Sequence, residues 1–249
     1  MLMVDLLLIT PHPDDEVFGC GGLFSKMAAF GKRAATLTLT RGGAGRSLGL
    51  CEQCDLPDVR EAELRVSLDA LGVRDVHIWD YPDFLPDGNR GMEHREGLRD
   101  VAPGKIVPRI ASLLDELKPE VLVTFQPNGS NGHPDHVMTN EFVLAALKQA
   151  AHQPKRIYYY AGDKPYDADA RAGFLAPEKI AAAHLYPTHY VEVGNFIEPK
   201  LRAMGAHKTQ ALSVMNFMHR ITRRLLIEGF HRVYPEVPKG EAARTVMWL

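Results

Sequence analysis

The 249-residue sequence predicts an α/β fold, a mostly parallel sheet with helices on both faces, in a single domain over residues 1–249. Three observations carry this. Short apolar runs alternate with stretches of helical spacing through the first two-thirds of the chain. The first run is apolar at nearly every position, as a strand buried on both faces must be. Gly and Pro punctuate the joints, and no repeat, low-complexity stretch or linker divides them.

Each element has its own signal. Residues 4–10 form an apolar run that ends at Pro11, a strand. Residues 16–30 read as a helix stopped by Gly31. Residues 34–40 alternate Leu and Thr, a second strand, and 41–58 are Gly-rich loop. Residues 59–71 carry apolar positions at helical spacing, with Gly72 as the cap. A short strand at 76–79 precedes a loop at 80–104 rich in Pro, Gly and mixed charge. A helix at 106–117 is closed by Pro119. A strand at 121–125 leads into loop 126–134, a helix at 137–151 and a strand at 156–160. The last third, about 161–249, is irregular, with a further strand at 189–193 and helices at 199–206 and 208–218. In such sheets ligands bind at the carboxyl ends of the strands.

Composition narrows the function. Hydrophobic residues make up 45% and charged residues 24%, which excludes a disordered chain, a collagen-like repeat and a coiled coil. The net charge of −2 argues against a nucleic-acid partner. No apolar run approaches the roughly 20 residues of a membrane span. The early run at residues 6–9 is too short for a signal peptide and follows Asp5 rather than a basic cluster. Cys20, Cys51 and Cys54 cannot all pair with one another, so a disulfide scaffold is excluded. The expectation is a cytoplasmic protein without stable membrane insertion.

Two motifs follow predicted strands: Pro11-His12-Pro13-Asp14-Asp15-Glu16 and Gly132-His133-Pro134-Asp135-His136. Pro13 and Pro134 keep His12 and His133 extended, outside the helices that follow. Three ligands of N and O type plus water is the pattern of a catalytic zinc site. Neither motif completes such a site comfortably alone; side by side they can. Each also reads as a helix start, where carboxylates cap free N–H groups and meet the dipole. Two such motifs at strand ends in one chain favour metal.

On these motifs the chain resembles the LmbE-like, or PIG-L-like, zinc-dependent N-acetylglucosamine deacetylases. Thr40-Arg41-Gly42-Gly43, Arg60 with Glu63, and Ala206-His207-Lys208-Thr209-Gln210 add to the likeness. The resemblance implies a Rossmann-like sheet and one Zn2+ per chain held by His12, Asp15 and His136. It implies Asp14 as general base, His133 as electrophilic or acid histidine, and Asp135 as the carboxylate that keeps His133 charged and aimed. Arg60 would clamp a polar part of the substrate and Asp83 accept a sugar hydroxyl; a helix-surface Arg and a turn residue are the plainer readings. The reaction implied is removal of acetyl from a small amino-sugar substrate, such as N-acetylglucosaminyl-malate. A homo-oligomer, trimer or hexamer, is implied too. Some relatives carry Tyr where this chain has Asn131, which also suits a turn with Gly132. The alternatives are an amidase of thiol-cofactor conjugates and a non-catalytic, metal-dependent sugar-binding protein. Asp14 separates the last, because a binding module needs no base beside its metal.

Other features are plainer. Gly19-Cys20-Gly21-Gly22 lacks dinucleotide-loop spacing and predicts close helix–sheet packing. Cys51-Glu52-Gln53-Cys54 has no second C-x-x-C and reads as two loop cysteines. Tyr158-Tyr159-Tyr160 reads as core rather than a stacking platform. His207 approaches the site or an oligomer contact, or sits on a surface helix. The Arg-rich stretch 220–232 reads as a solvated helix or a subunit contact.

Overall fold

In the computed structural model, which describes residues 3–86, 93–167, 170–220 and 222–249, the first apolar run forms β1 (Leu6–Thr10), buried throughout. Leu6 and Leu8 enter one core cluster and Leu7 and Ile9 the other, as the two-residue strand period requires. The chain continues through α1 (Asp15–Ala29), β2 (Ala34–Thr40), α2 (Leu56–Ala70) and β3 (Asp75–Tyr81). A short antiparallel pair, β4 (Phe84–Leu85) and β5 (Arg95–Glu96), precedes α3 (Pro103–Leu117), β6 (Val121–Thr124), a kinked turn α4 (Gly129–Gly132) and α5 (Pro134–Leu147). Then come β7 (Arg156–Tyr160), α6 (Pro177–Ala182), β8 (His189–Glu192), α7 (Ile197–Ala206), α8 (Ala211–Arg220), β9 (Ile227–Tyr234) and β10 (Arg244–Val246).

Among the described residues, eight strands make one sheet in the order β10-β8-β9-β7-β6-β1-β2-β3. The run β3-β2-β1-β6-β7 is parallel; β9 alone runs antiparallel to its neighbours β7 and β8. The chain leaves β1 for β2 on one side and returns to β6 on the other. The loops after β1 and β6 therefore diverge and open a crevice, the place where open α/β sheets bind ligands. Helices α1, α2 and α7 pack one face, with Val17, Phe24, Leu64, Leu68 and Met204 buried. Helices α3 and α5 cover the other, with Ile106, Ile110, Leu114, Phe142 and Val143.

The glycines of α1 serve close packing, as expected. A Cβ on Gly22 would lie 2.5 Å from Val193, so a larger residue would push the helix off the sheet. The three tyrosines are buried in β7. Residues 220–232 differ from the expectation: they hold a 3-10 turn, Thr222–Leu225, and most of β9. Polar residues interrupt the apolar pattern of this strand. Glu228 is fully buried within it, matched by Lys200 Nζ of α7 at 2.7 Å and by the amides of Gly22 and Leu23 at 2.8 and 2.9 Å. The loop at 80–104 gains its β4–β5 pair from contacts that no local spacing encodes; residues 87–92 within it lie outside the described residues.

Candidate metal centre and active site

His12, Asp14 and Asp15 follow β1, and His133, Asp135 and His136 follow β6 across the crevice. The sheet brings them together. His136 Nε2 lies 3.3 Å from His12 Nδ1 and 3.6 Å from Asp15 Oδ1, and His12 Nδ1 lies 3.5 Å from Asp15 Oδ2. A tetrahedral zinc with bonds of about 2.0–2.1 Å spaces its ligand atoms roughly 3.3–3.4 Å apart. Each pair stands near a tetrahedral edge, with the Asp15 carboxylate meeting His136 through Oδ1 and His12 through Oδ2.

Their outer hydrogen bonds set the tautomers for this purpose. His136 Nδ1 faces the Gly129 carbonyl at 3.0 Å, which leaves Nε2 as the free lone pair. His12 Nε2 faces Asp83 Oδ1 at 3.0 Å and Asp135 Oδ2 at 3.1 Å, which leaves Nδ1 for the shared point. A carboxylate behind a ligating histidine fixes its ring and raises its basicity. The residues present fit a zinc ion.

Charge follows burial. Desolvation lowers His12, yet the carboxylates of Asp83, Asp135 and Asp15 hold it well above its ordinary value, so a metal at Nδ1 would take the place of its second proton. Burial would raise Asp15, but His136 and His12 keep it low. Burial lowers His136 to about 4 despite Asp15, so its imidazole is neutral, as a ligand must be. Burial raises Asp14 to about 7, against Arg60 and with Asp15 adding to the rise. That is the range a general base works in.

Asp14 sits at φ 115, ψ −23, a left-handed conformation that is rare for a non-glycine residue. Neighbours hold it there. Its N–H donates to Glu16 Oε2 at 3.0 Å, and its Oδ1 lies 3.4 Å from Arg60 Nη2. Glu16 is anchored in turn, its Oε1 accepting from Ser67 Oγ at 2.6 Å and facing His207 Nε2 at 2.6 Å. His207, from the Ala206-His207 segment, is buried and so approaches the site through Glu16.

Three residues stand differently from expectation. Asp135 does not orient His133. Its Oδ2 meets His12 Nε2 and the Phe84 amide, its Oδ1 accepts from Leu98 N–H at 2.7 Å, and His133 Nδ1 is 4.0 Å away. The cause is the β4 strand and the Gly97 turn, which deliver two amides to it. Gly97 has φ 68, and a Cβ there would overlap Asp135 Oδ1. His133 instead accepts from the Asp135 backbone N–H at 3.1 Å through Nδ1, and burial with its neighbours His12 and His136 holds it well below its ordinary value. It is neutral, with its proton on Nε2. Arg60 is buried and spends its guanidinium on Gly42 O at 2.9 Å, on Pro13 O and on Asp14. It braces the base rather than reaching outward. Asp83 binds His12 and the Ala44 amide, at 2.9 Å, instead of standing free for a hydroxyl. Asn131 caps the turn, accepting from His133 N–H at 3.0 Å.

A second donor set, His12, His133 and His136, also converges. His133 stacks on His136 at 4.8 Å and is the most exposed histidine of the three.

Comparison with known proteins finds relatives in both sequence and fold. A deacetylase of Mycobacterium sp. (strain JLS), named for 1D-myo-inositol 2-acetamido-2-deoxy-alpha-D-glucopyranoside, is 31% identical over 230 residues, covering 84% of this chain and 75% of that protein. The conserved protein TT1542 from Thermus thermophilus superposes with a TM-score of 0.70 and 25% identity over 96% of this chain and all of its own. The N,N'-diacetylchitobiose deacetylase from Pyrococcus horikoshii shares the fold, with a TM-score of 0.63 and 20% identity over 92% of this chain and 83% of its own. The family model described as PIG-L: GlcNAc-PI de-N-acetylase matches residues 7–147, which hold both motifs, and the chain belongs to that PIG-L, LmbE-like family.

Proposed function

We propose that this protein is a zinc-dependent hydrolase that removes the N-acetyl group from a small N-acetylglucosamine derivative. The observation that carries the reading is the convergence of His12 Nδ1, the Asp15 carboxylate and His136 Nε2 beside Asp14. The relative named as an N-acetylglucosaminyl-inositol deacetylase supports the amino-sugar part. A single Zn2+ on those three residues would polarise the acetyl carbonyl and acidify a water molecule.

The chain's own groups account for the protons. Asp14, raised by burial, accepts a proton from water as its oxygen bonds to the acetyl carbon. Neutral His133 offers its Nε2–H to the developing oxyanion. Being neutral, it donates a hydrogen bond and not a net proton, so Asp14 returns the proton to the leaving nitrogen as the C–N bond breaks. The products are acetate and a free amine. Asp135 and Asp83 act through His12, and Arg60 and Glu16 through Asp14.

The test is acetate release from a panel of N-acetylglucosaminides, the inositol and malate conjugates included, by zinc-loaded protein. Release from none of them overturns the reading; sugar binding without release favours a non-catalytic sugar-binding protein. An amidase of thiol-cofactor conjugates would leave this panel intact and instead split the amide between the amino sugar and a thiol-bearing acyl group, releasing that acyl acid. The reading includes a cytoplasmic homo-oligomer. Among the described residues the three cysteines are free, which supports a reducing compartment, and no helix is long and apolar enough to cross a membrane.

A further inference from the structure

The turn between α7 and α8, Lys208–Gln210 with His207 before it, lies far along the chain from both motifs, and the chemistry derived above gives it no part. His207 and Glu16 are each 1% exposed, and His207 Nε2 faces Glu16 Oε1 at 2.6 Å. Two other donors reach the same carboxylate. Ser67 Oγ donates to Oε1 at 2.6 Å, and the Asp14 N–H donates to Oε2 at 3.0 Å. An ionised carboxylate only accepts, so Nε2 carries the hydrogen and His207 is the third donor. The ring makes no other hydrogen bond among the described residues, for its Nδ1 is buried without a partner. A buried ring with an orphaned nitrogen is a costly filler, and an apolar side chain would fill the same space without that cost. The bond to Glu16 is what this position supplies.

The next residues fix the turn independently. Thr209 donates its N–H to Glu63 Oε1 at 3.0 Å and its hydroxyl to Glu63 Oε2 at 2.6 Å. Arg60, Glu63 and Ser67 stand three and four residues apart on one face of α2. They reach Asp14, Thr209 and Glu16 in that order. One helix face therefore holds both Asp14 and the turn whose histidine steadies it. Asp14 needs the hold, because its φ of 115 is uphill for a residue that carries a Cβ.

We infer that His207 is a positioning residue for the general base. It pins Glu16 where the second carboxylate oxygen receives the Asp14 N–H, and so keeps Asp14 left-handed with its side chain beside the ligand set. Without that pin, Asp14 relaxes towards the common backbone regions and its carboxylate leaves the place where it takes a proton from water. The consequence for turnover rests on the hydrolase reading given above; the hold on Asp14 is a property of the folded chain alone.

Two variants separate the donor from the ring. His207→Gln puts an amide N–H near the place of Nε2, and His207→Leu fills the space without a donor. With zinc-loaded protein and the N-acetylglucosaminide of the panel that the wild type hydrolyses fastest, kcat should fall about 10- to 100-fold in His207→Leu, the cost of displacing a reacting group by roughly 1 Å. KM and zinc content should stay close to the wild-type values, because neither substrate nor ligands are touched. His207→Gln should recover most of kcat. An unchanged kcat in His207→Leu, a rise in KM in its stead, loss of zinc, or no recovery in His207→Gln overturns the inference. A second measurement does not depend on hydrolysis. Amide hydrogen exchange at Asp14, followed by NMR, should speed up about tenfold in His207→Leu, the worth of one buried hydrogen bond, and slow again in His207→Gln. The Leu23 amide, held by Glu228 on the same helix, should not change. Exchange unmoved at Asp14, or raised equally at Leu23, overturns the inference even where acetate is released. A change at Asp14 alone, in a protein that releases no acetate from any substrate, would sustain the hold on Asp14 while removing the hydrolase reading. If His207→Leu does not fold, His207→Asn, whose shorter amide stops short of Glu16, replaces it in both comparisons.

Discussion

Asp14 shows how a few side chains are forced into service. It is buried, left-handed and flanked by Asp15, an arrangement worth about 1–3 kcal/mol of backbone strain by itself. Glu16 and Arg60 hold it, so the carboxylate stands beside the ligand set without joining it. Separate roles for neighbouring residues give separable variants. His136→Ala should lose most of its zinc by elemental analysis, whereas Asp14→Asn and His133→Ala should keep theirs. Asp14→Asn should lose about 10²–10⁴-fold in acetate release, because an amide cannot take the proton. Zinc lost in His133→Ala would point to the set His12, His133 and His136, and zinc retained in His136→Ala to the set His12, Asp83 and Asp135.

Among the elements, α1 is tied to the sheet both by close packing and by a buried charge. It presents its glycines to the sheet and its Gly22 and Leu23 amides to Glu228 of β9, while Lys200 of α7 closes the charge. Lys200 and Glu228 are both fully buried, so the pair holds three elements in register. Lys200→Met should destabilise the protein by about 3–5 kcal/mol in urea unfolding, because it leaves a buried carboxylate without its counter-charge. The double variant Lys200→Met/Glu228→Gln should regain part of that loss. A double variant no more stable than the single one would mean that Lys200 acts through packing alone.

Acid stability belongs to the whole molecule, and His189 gives it a handle away from the metal centre. Buried in β8, with Arg232 and Arg244 nearby, its imidazole is lowered to about 4. The unfolded chain, near 6.5, therefore binds the extra proton between those values. The stabilisation is complete above about pH 6.5 and is lost as pH falls towards 4. His189→Gln should flatten the slope of unfolding free energy against pH in that window by up to one proton, with little change in slope above pH 7. An unaltered slope would show that other groups carry the acid sensitivity.

The parallel half of the sheet was legible in the residues because β1, β2, β6 and β7 are buried by their own apolar runs and α1, α2 and α3 end close to a Gly or Pro. The two motifs were legible for a similar reason: His, Pro and Asp lie within a few residues of one another after a strand. Contacts between distant segments were not. Asp135 was turned from His133 to His12 by amides at Phe84 and Leu98. Arg60 was turned inward by Gly42 and Asp14, and β9 was hidden by a charge whose partner lies on α7. Local periodicity records which face of an element is apolar. It does not record which hydrogen-bond acceptor a buried polar group will find, because that partner arrives only when the sheet brings remote loops to the same edge.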